Sequence, residues 1–157
     1  MALATTDDDM PSFIRIWIHL IWSTKNRDKL IRPDFKFKLY DHLKFNATGK
    51  NIYIDHINGT EDHIHILISL KGEQSISKVA FLLKGESAYW VNKNKLSKIK
   101  FSWQNEFIAI SVSDSLVQRV REYIRNQEIH HKKRSFKEEY DIFIKRFGFN
   151  RFEAKAE

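Results

Sequence analysis

The chain contains no cysteine among its 157 residues, which excludes both a disulfide framework and a thiolate zinc site. Any metal it holds must be bound through nitrogen and oxygen. No apolar run approaches membrane-spanning length, and the leader "MALATTDDDMPS" is acidic and polar, without the basic start and apolar stretch of a signal peptide. The expectation is an intracellular soluble protein with no membrane partner. There is no internal repeat and no low-complexity segment. This length suits one domain with a proper core and is too short for two, so the reading is a single domain over residues 13–149, a flexible leader over 1–12 and a tail over 150–157.

What the chain does have is positive charge: 27 lysines and arginines against 20 acidic residues, a formal +7, which favours a polyanionic partner. Aromatic residues make up 13%, and aromatics interleaved with cations suit stacking on unpaired bases as well as packing a core.

The segment "FIRIWIHLIWST" alternates, with Ile14, Ile16, Ile18 and Leu20 on one face and Arg15, Trp17 and His19 on the other, so it reads as a strand. "RPDFKFKLYDHLKFNATGK" reads as a helix started by Pro33 and stopped by Gly49, with Phe35, Leu39 and Leu43 at helical spacing. "NIYIDHINGTEDHIHILISL" predicts two strands joined around Asn58-Gly59. A helix over "SISKVAFLLKGESAYWVNK" follows, with Ile76, Val79, Leu83 and Trp90 on one stripe. "FSWQNEFIAISVS" is again strand-like. The order βαββαβ predicts an α+β, ferredoxin-like antiparallel sheet, as in RNA-recognition domains, with two helices on one face.

Two further helices have no place in that unit. "SDSLVQRVREYIRNQEIHHKK" carries Ser115 and Gln118 at capping-box spacing, and the free sheet face is its natural dock. "SFKEEYDIFIKRFGF" opens with Ser135 and Glu138 as a second box and sets Phe136, Tyr140, Phe143 and Phe147 on one stripe, which predicts packing against a neighbouring element. The basic run "HHKKRSFK" between them reads as a solvated linker.

The chemistry concentrates in "DHIHILISL". Alternation puts Ile64, Ile66, Ile68 and Leu70 on one face and His63, His65, Leu67 and Ser69 on the other, so both imidazoles point the same way. Such a pair can share a metal ion, stack as a satisfied polar patch, or face solvent. With the isoleucines inward, the opposite face gathers Arg15, Trp17, His19, His63 and His65. On the third helix, Tyr123 and Gln127 lie four residues apart and therefore on the same side. A phosphodiester resists attack because its oxygens are negative, and tyrosine is a weak nucleophile at neutral pH. A divalent ion on two histidines and an amide oxygen addresses the first difficulty and orients the phosphate toward the tyrosine.

"DHIHILISL" followed by "YIRNQEIHH" resembles the HUH single-tyrosine transposases of the insertion-sequence 200/605 family, named for a His-hydrophobic-His motif and a catalytic tyrosine. The resemblance extends through "IHLIWSTKNRDKLI", "SISKVAFLLKGES", "FSWQNEFIAISVS" and "FKEEYDIFIKRFGF". It implies Tyr123 as the catalytic nucleophile and His63, His65 and Gln127 as ligands of Mg²⁺ or Mn²⁺. It also implies a 5′-phosphotyrosine link, single-stranded DNA with hairpins near the element ends as substrate, a homodimer, no nucleotide cofactor, and a cytoplasmic location. His19, Arg15 and Trp17 are candidates for DNA contact or for support of the metal ligands. His130 and His131 extend the tyrosine helix and read as a solvated end. The family's glycine-aromatic-glycine turn is replaced by Glu106, Phe107 and Ile108.

Three other readings stay open: a domesticated, repeat-associated transposase of the same chemistry, a non-catalytic nucleic-acid-binding module, and a hydrolytic metal nuclease that activates water.

Overall fold

The structure, a computed structural model, describes residues 10–148. The tail 150–157 lies outside the described residues, as does the leader except for residues 10–12. The elements run β1 (Ile16–Ser23), α1 (Lys36–Gly49), β2 (Tyr53–Gly59), β3 (His63–Leu70), α2 (Ile76–Lys93), β4 (Ile108–Val112), α3 (Val117–Arg125), α4 (Gln127–Lys133) and α5 (Phe136–Phe147). The four strands form one antiparallel sheet in the order β2-β3-β1-β4, the ferredoxin-like order expected from βαββαβ.

Both central strands are buried. Ile64, Ile66, Ile68 and Leu70 of β3 and Ile18, Leu20 and Trp22 of β1 face α1 and α2, where they meet Leu39, Leu43, Val79 and Leu83. Each fully buried side chain of this kind contributes roughly 1.5–3 kcal/mol, so this layer supplies most of the driving force for folding. The two helices are also joined directly: His42 donates to Glu86 at 2.8 Å and stacks on Trp90 with ring centroids 4.2 Å apart.

The opposite sheet face is covered as well. Val117 and Ile124 of α3 bury Leu67, with Trp17, Val112 and Val120 around them. Polar contacts clamp the same helix to β2. Asp55, at the β-bulge between Ile54 and His56, accepts hydrogen bonds from Arg121 at 2.7–3.1 Å. The Asn58 amide donates to the Arg125 carbonyl at 3.0 Å, satisfying one of the acceptors a helix C-terminus leaves free.

Several local expectations are corrected. Asn58-Gly59 is not the hairpin turn. Both residues still pair with β3, and the chain reverses over residues 60–62, closed by the Thr60 N–H donating to the His63 carbonyl at 3.0 Å. The glycine answers a close approach: a Cβ at position 59 would strike the His63 carbonyl oxygen and lie 2.8 Å from Ile64 Cα. The first helix begins at Lys36 rather than Pro33, because residues 32–35 form a turn in which Arg32 grips Asp34 at 2.9 Å. The fourth strand is confined to Ile108–Val112, since the Asn105 and Glu106 carbonyls accept from Lys84 instead of pairing in the sheet. Ser115 does not cap the tyrosine helix; its hydroxyl bonds that of Ser113, and a short 3₁₀ turn over 114–116 leads into α3. The expected single helix also breaks at Asn126 into α3 and α4. Ser135 does cap α5, accepting from the Glu138 N–H at 3.2 Å.

Two outcomes follow. Gly59→Ala forces the hairpin open where the end of β2 crosses His63 and Ile64 and is expected to cost about 1–3 kcal/mol, measured as a lowered urea midpoint. Asp55 titrates below the ordinary carboxylate range: burial opposes its ionisation, but hydrogen bonds from Arg121 and His56 outweigh that penalty. A carboxylate depressed on folding stabilises the fold above its unfolded pKa of ~3.9, and the contribution is lost as pH falls through the folded value. The stability gap between wild type and Asp55→Asn, read from denaturant melts, is therefore expected to be full at pH 7 and to close in acid.

Candidate active site

The pocket is built on β3, whose outer face presents His63 and His65, each with no solvent exposure. His63 is the more constrained. Its Nδ1–H donates to Asp62 at 2.8 Å, and Thr60 Oγ1 lies 2.9 Å from the same nitrogen. Asp62 is held in turn by the tight reversal, where its carbonyl accepts from the Thr24 N–H at 2.8 Å. Burial opposes ionisation of Asp62, but its bonds with His63 and Thr60 keep its carboxyl below the ordinary range. This arrangement fixes the tautomer and leaves the Nε2 lone pair free. That Nε2 is buried and has no hydrogen-bond partner among the described residues.

His65 is held from the other side. Its Nδ1 lies 2.8 Å from Nε2 of His19 on β1, and its Nε2 lies 2.9 Å from Glu139 Oε1. Burial first, and the neighbouring His63 and His131 in addition, push its pKa down to about 4 despite the opposing Glu139 carboxylate. His19, 5% exposed, is lowered well below the ordinary value by burial and by His65. Two neutral imidazoles in contact can exchange donor and acceptor roles, so His19 can steady His65 whichever of its nitrogens is engaged.

Tyr123 projects from α3 over this pair. Its ring centroid is 5.6 Å from that of His65, and its hydroxyl donates to Glu139 Oε2. Burial, then the charge and hydrogen bond of Glu139, raise the tyrosine pKa, so the phenol is protonated in this arrangement. Gln127, fully buried at the start of α4, donates from its amide to the Tyr123 carbonyl at 3.3 Å, and its Oε1 lies 3.1 Å from His131 Nε2.

The structure thus brings Tyr123, His63 and His65 into one pocket, seats Gln127 at its edge and sets His19 behind His65. Arg15 and Trp17 lie elsewhere. Arg15 precedes β1 and pairs with Asp114 at 3.5 Å, and the Trp17 indole donates to Asp114 at 3.1 Å. The solvated end expected for His130 and His131 is corrected. The His130 ring stacks on Tyr123 at 4.6 Å, and His131 Nε2 reaches within 3.4 Å of Glu139, because the break at Asn126 redirects α4 along the pocket.

Sequence reasoning missed Glu139, on α5, which is 5% exposed and touches Tyr123, His65 and His131. Burial penalises its charge, but hydrogen bonds from His131 and His65, the charge of His65 and the Tyr123 hydroxyl together hold it well below the ordinary carboxylate range. A signal was present. Glu139 falls three residues after Phe136 and four before Phe143, on the stripe that packs inward: Phe136 stacks on His63 at 4.4 Å, and Phe143 lies 6.2 Å from His19. An acid on such a stripe asks for a buried partner. Asp62 was also missed, although it directly precedes the histidine pair.

The donor set fits a divalent cation. His63, His65, His131 and Glu139 offer ligand atoms all within 4.8 Å of one another, and the orphaned Nε2 of His63 is a buried lone pair that an ion would satisfy.

This fold and site define a transposase of the IS200-like class. The family described as "Transposase IS200 like" matches residues 12–127, and the chain belongs to it. Among curated proteins, the ISDra2 transposase TnpA of Deinococcus radiodurans is 28% identical over 115 residues, covering 69% of this chain and 81% of that protein. Two solved structures share the fold. A candidate transposase from Deinococcus radiodurans R1 aligns with a TM-score of 0.60 at 22% identity, over 75% of this chain and 95% of that one. A REP-associated tyrosine transposase bound to a REP hairpin aligns with a TM-score of 0.55 at 13% identity, over 79% of this chain and 72% of that one. No helix among the described residues is long and apolar enough to cross a membrane.

Asp62 orients His63 without lying in the four-residue donor cluster. Asp62→Asn is therefore expected to weaken binding of Mn²⁺ by about 10–100-fold, measured by calorimetric titration, while the fold survives.

Proposed function

We propose that the chain cleaves and rejoins single-stranded DNA at insertion-sequence ends through a 5′-phosphotyrosine intermediate. One observation carries this reading: the Tyr123 hydroxyl and the Nε2 atoms of His63 and His65 all face the two oxygens of one carboxylate, Glu139. A nucleophile and two metal-type donors therefore share one small, dry pocket. His63, His65 and Gln127 would hold Mg²⁺ or Mn²⁺, which when bound supplies positive charge against the scissile phosphate.

The chain's own residues account for the remaining requirements. α3, clamped to β2 at Asp55 and Asn58, carries Tyr123 on a rigid element and limits the positions its oxygen samples. Tyr123 attacks phosphorus as the P–O3′ bond breaks, and in the net exchange the phenolic proton is passed to the departing 3′ oxygen, which leaves as a hydroxyl. Joining reverses the exchange: an incoming 3′-hydroxyl attacks the phosphotyrosine and frees the phenol. Phosphodiester bonds are conserved throughout, so no ATP is needed. Beside the pocket an open groove of mixed charge reaches His131 and Phe136. Lys36 is paired there with Glu128, and Glu61 and Asp62 line the same groove, while Lys29, Lys132 and Arg134 are the cations it offers to backbone phosphates. Homodimer formation, hairpin recognition and a cytoplasmic setting belong to the same reading, through the family.

The test uses the purified full chain with 5′- or 3′-labelled single-stranded oligonucleotides from the DNA flanking its own gene, in Mn²⁺ or EDTA, on denaturing gels. The expected result is a metal-dependent protein adduct that carries only the 3′ label and is abolished in Tyr123→Phe, with DNA binding unchanged. Cleavage that survives Tyr123→Phe would reject the tyrosine as nucleophile and favour a water-activating nuclease. Tight binding with no cleavage on any of these strands would favour a binding module.

A further inference from the structure

α5 lies beyond the residues matched by the family, which end at position 127, yet it delivers the carboxylate at the centre of the pocket. A buried carboxylate is costly unless it is paired, and here it meets His65, His131 and the Tyr123 hydroxyl. Its presence calls for a function. Glu139 either fills the pocket as an occluding group or serves as a ligand there.

The distances favour a ligand. Glu139 Oε1 lies 2.9 Å from His65 Nε2 and 3.7 Å from His63 Nε2. Donors at about 2.0–2.2 Å from a shared ion, spaced between right-angled and tetrahedral, stand roughly 3–3.6 Å apart. The two observed separations bracket that range. His63, with its proton on Nδ1, turns a buried Nε2 lone pair toward Glu139 at 3.7 Å. Two acceptors thus face each other with no hydrogen between them, an opposition that a shared cation relieves and an occluding carboxylate does not.

We propose that Glu139 is a metal ligand and that α5 is part of the metal centre, joined to β3 through the ion. This rests on the reading of His63 and His65 as a metal pair. It changes the electrostatics of the site: an anionic ligand joins the otherwise neutral set of two imidazoles and an amide, leaving less net charge to face the phosphate. His131, 3.1 Å from Gln127 Oε1 and 3.4 Å from Glu139 Oε2, acts as a positioning residue for both groups.

Two measurements on the full chain test this, with Mn²⁺ alone as the probe. In calorimetric titration, Glu139→Gln is expected to bind Mn²⁺ at least about tenfold more weakly than wild type, and His63→Ala to lose binding. In hydrogen exchange of the wild-type chain, Mn²⁺ is expected to slow the amides of 136–147 together with those of β3. The exchange measurement stands even if Glu139→Gln fails to fold. Wild-type affinity in Glu139→Gln, or faster exchange of α5 on adding Mn²⁺, would overturn the proposal and identify an occluding group, leaving the His63–His65 site intact. Absence of His63-dependent Mn²⁺ binding in the wild type would overturn the underlying metal reading and the proposal with it.

Discussion

The structure depends on one strand being buried on both faces. Because side chains alternate along β3, every second residue enters the core under α1 and α2, and the residues between enter a second, smaller interior beneath α3 and α5. Register is consequently locked: a slip of one residue would drive His63 and His65 into the main core and expose the isoleucines. The apolar side of the strand thereby fixes where the imidazoles stand, and the large hydrophobic term that folds the domain also aims the site.

The second interior differs from the first in how it is held. Leu67, Val117 and Ile124 form only a small apolar contact, so the placement of α3 relies on polar clamps at Asp55, Asn58 and Asp114. Polar clamps are directional, and they set the tyrosine helix at a defined rotation over the histidines in a way that a larger greasy contact would not. The β-bulge at Asp55 serves this end, since the extra residue turns a carboxylate out toward Arg121.

Water is largely excluded where the imidazoles, the phenol and the carboxylate meet, so each charge there is felt strongly. Glu139 stays ionised because nitrogen and hydroxyl donors surround it, and burial together with its charge raises the Tyr123 pKa above the ordinary value. The phenol in such a pocket is engaged as a donor to the carboxylate, and any change at the carboxylate is felt at the tyrosine. On the proposed function, a bound cation and an entering phosphodiester would both alter that balance, tying ion binding, DNA binding and release of the tyrosine to the same few atoms.

Much of this was written in local patterns. The two-residue alternation of β1 and β3, the helical stripes of α1 and α2, and the βαββαβ order determined the ferredoxin-like sheet, because periodicity reports which face is buried. The paired direction of His63 and His65, and the placement of Tyr123 with Gln127 on one helical side, came from the same geometry. Tertiary structure decided what local pattern does not encode. Asn58-Gly59 has the composition of a tight turn, but its amide was needed at the end of α3 and its missing side chain was needed for close backbone approach. The break at Asn126 turned His130 and His131 inward, and α5 brought Glu139 from far along the chain to the histidines of β3. Sequence determines which side chains share an element. Only packing determines which elements meet, because that depends on the sum of many weak contacts between distant segments, and the carboxylate of the site arrived by that route.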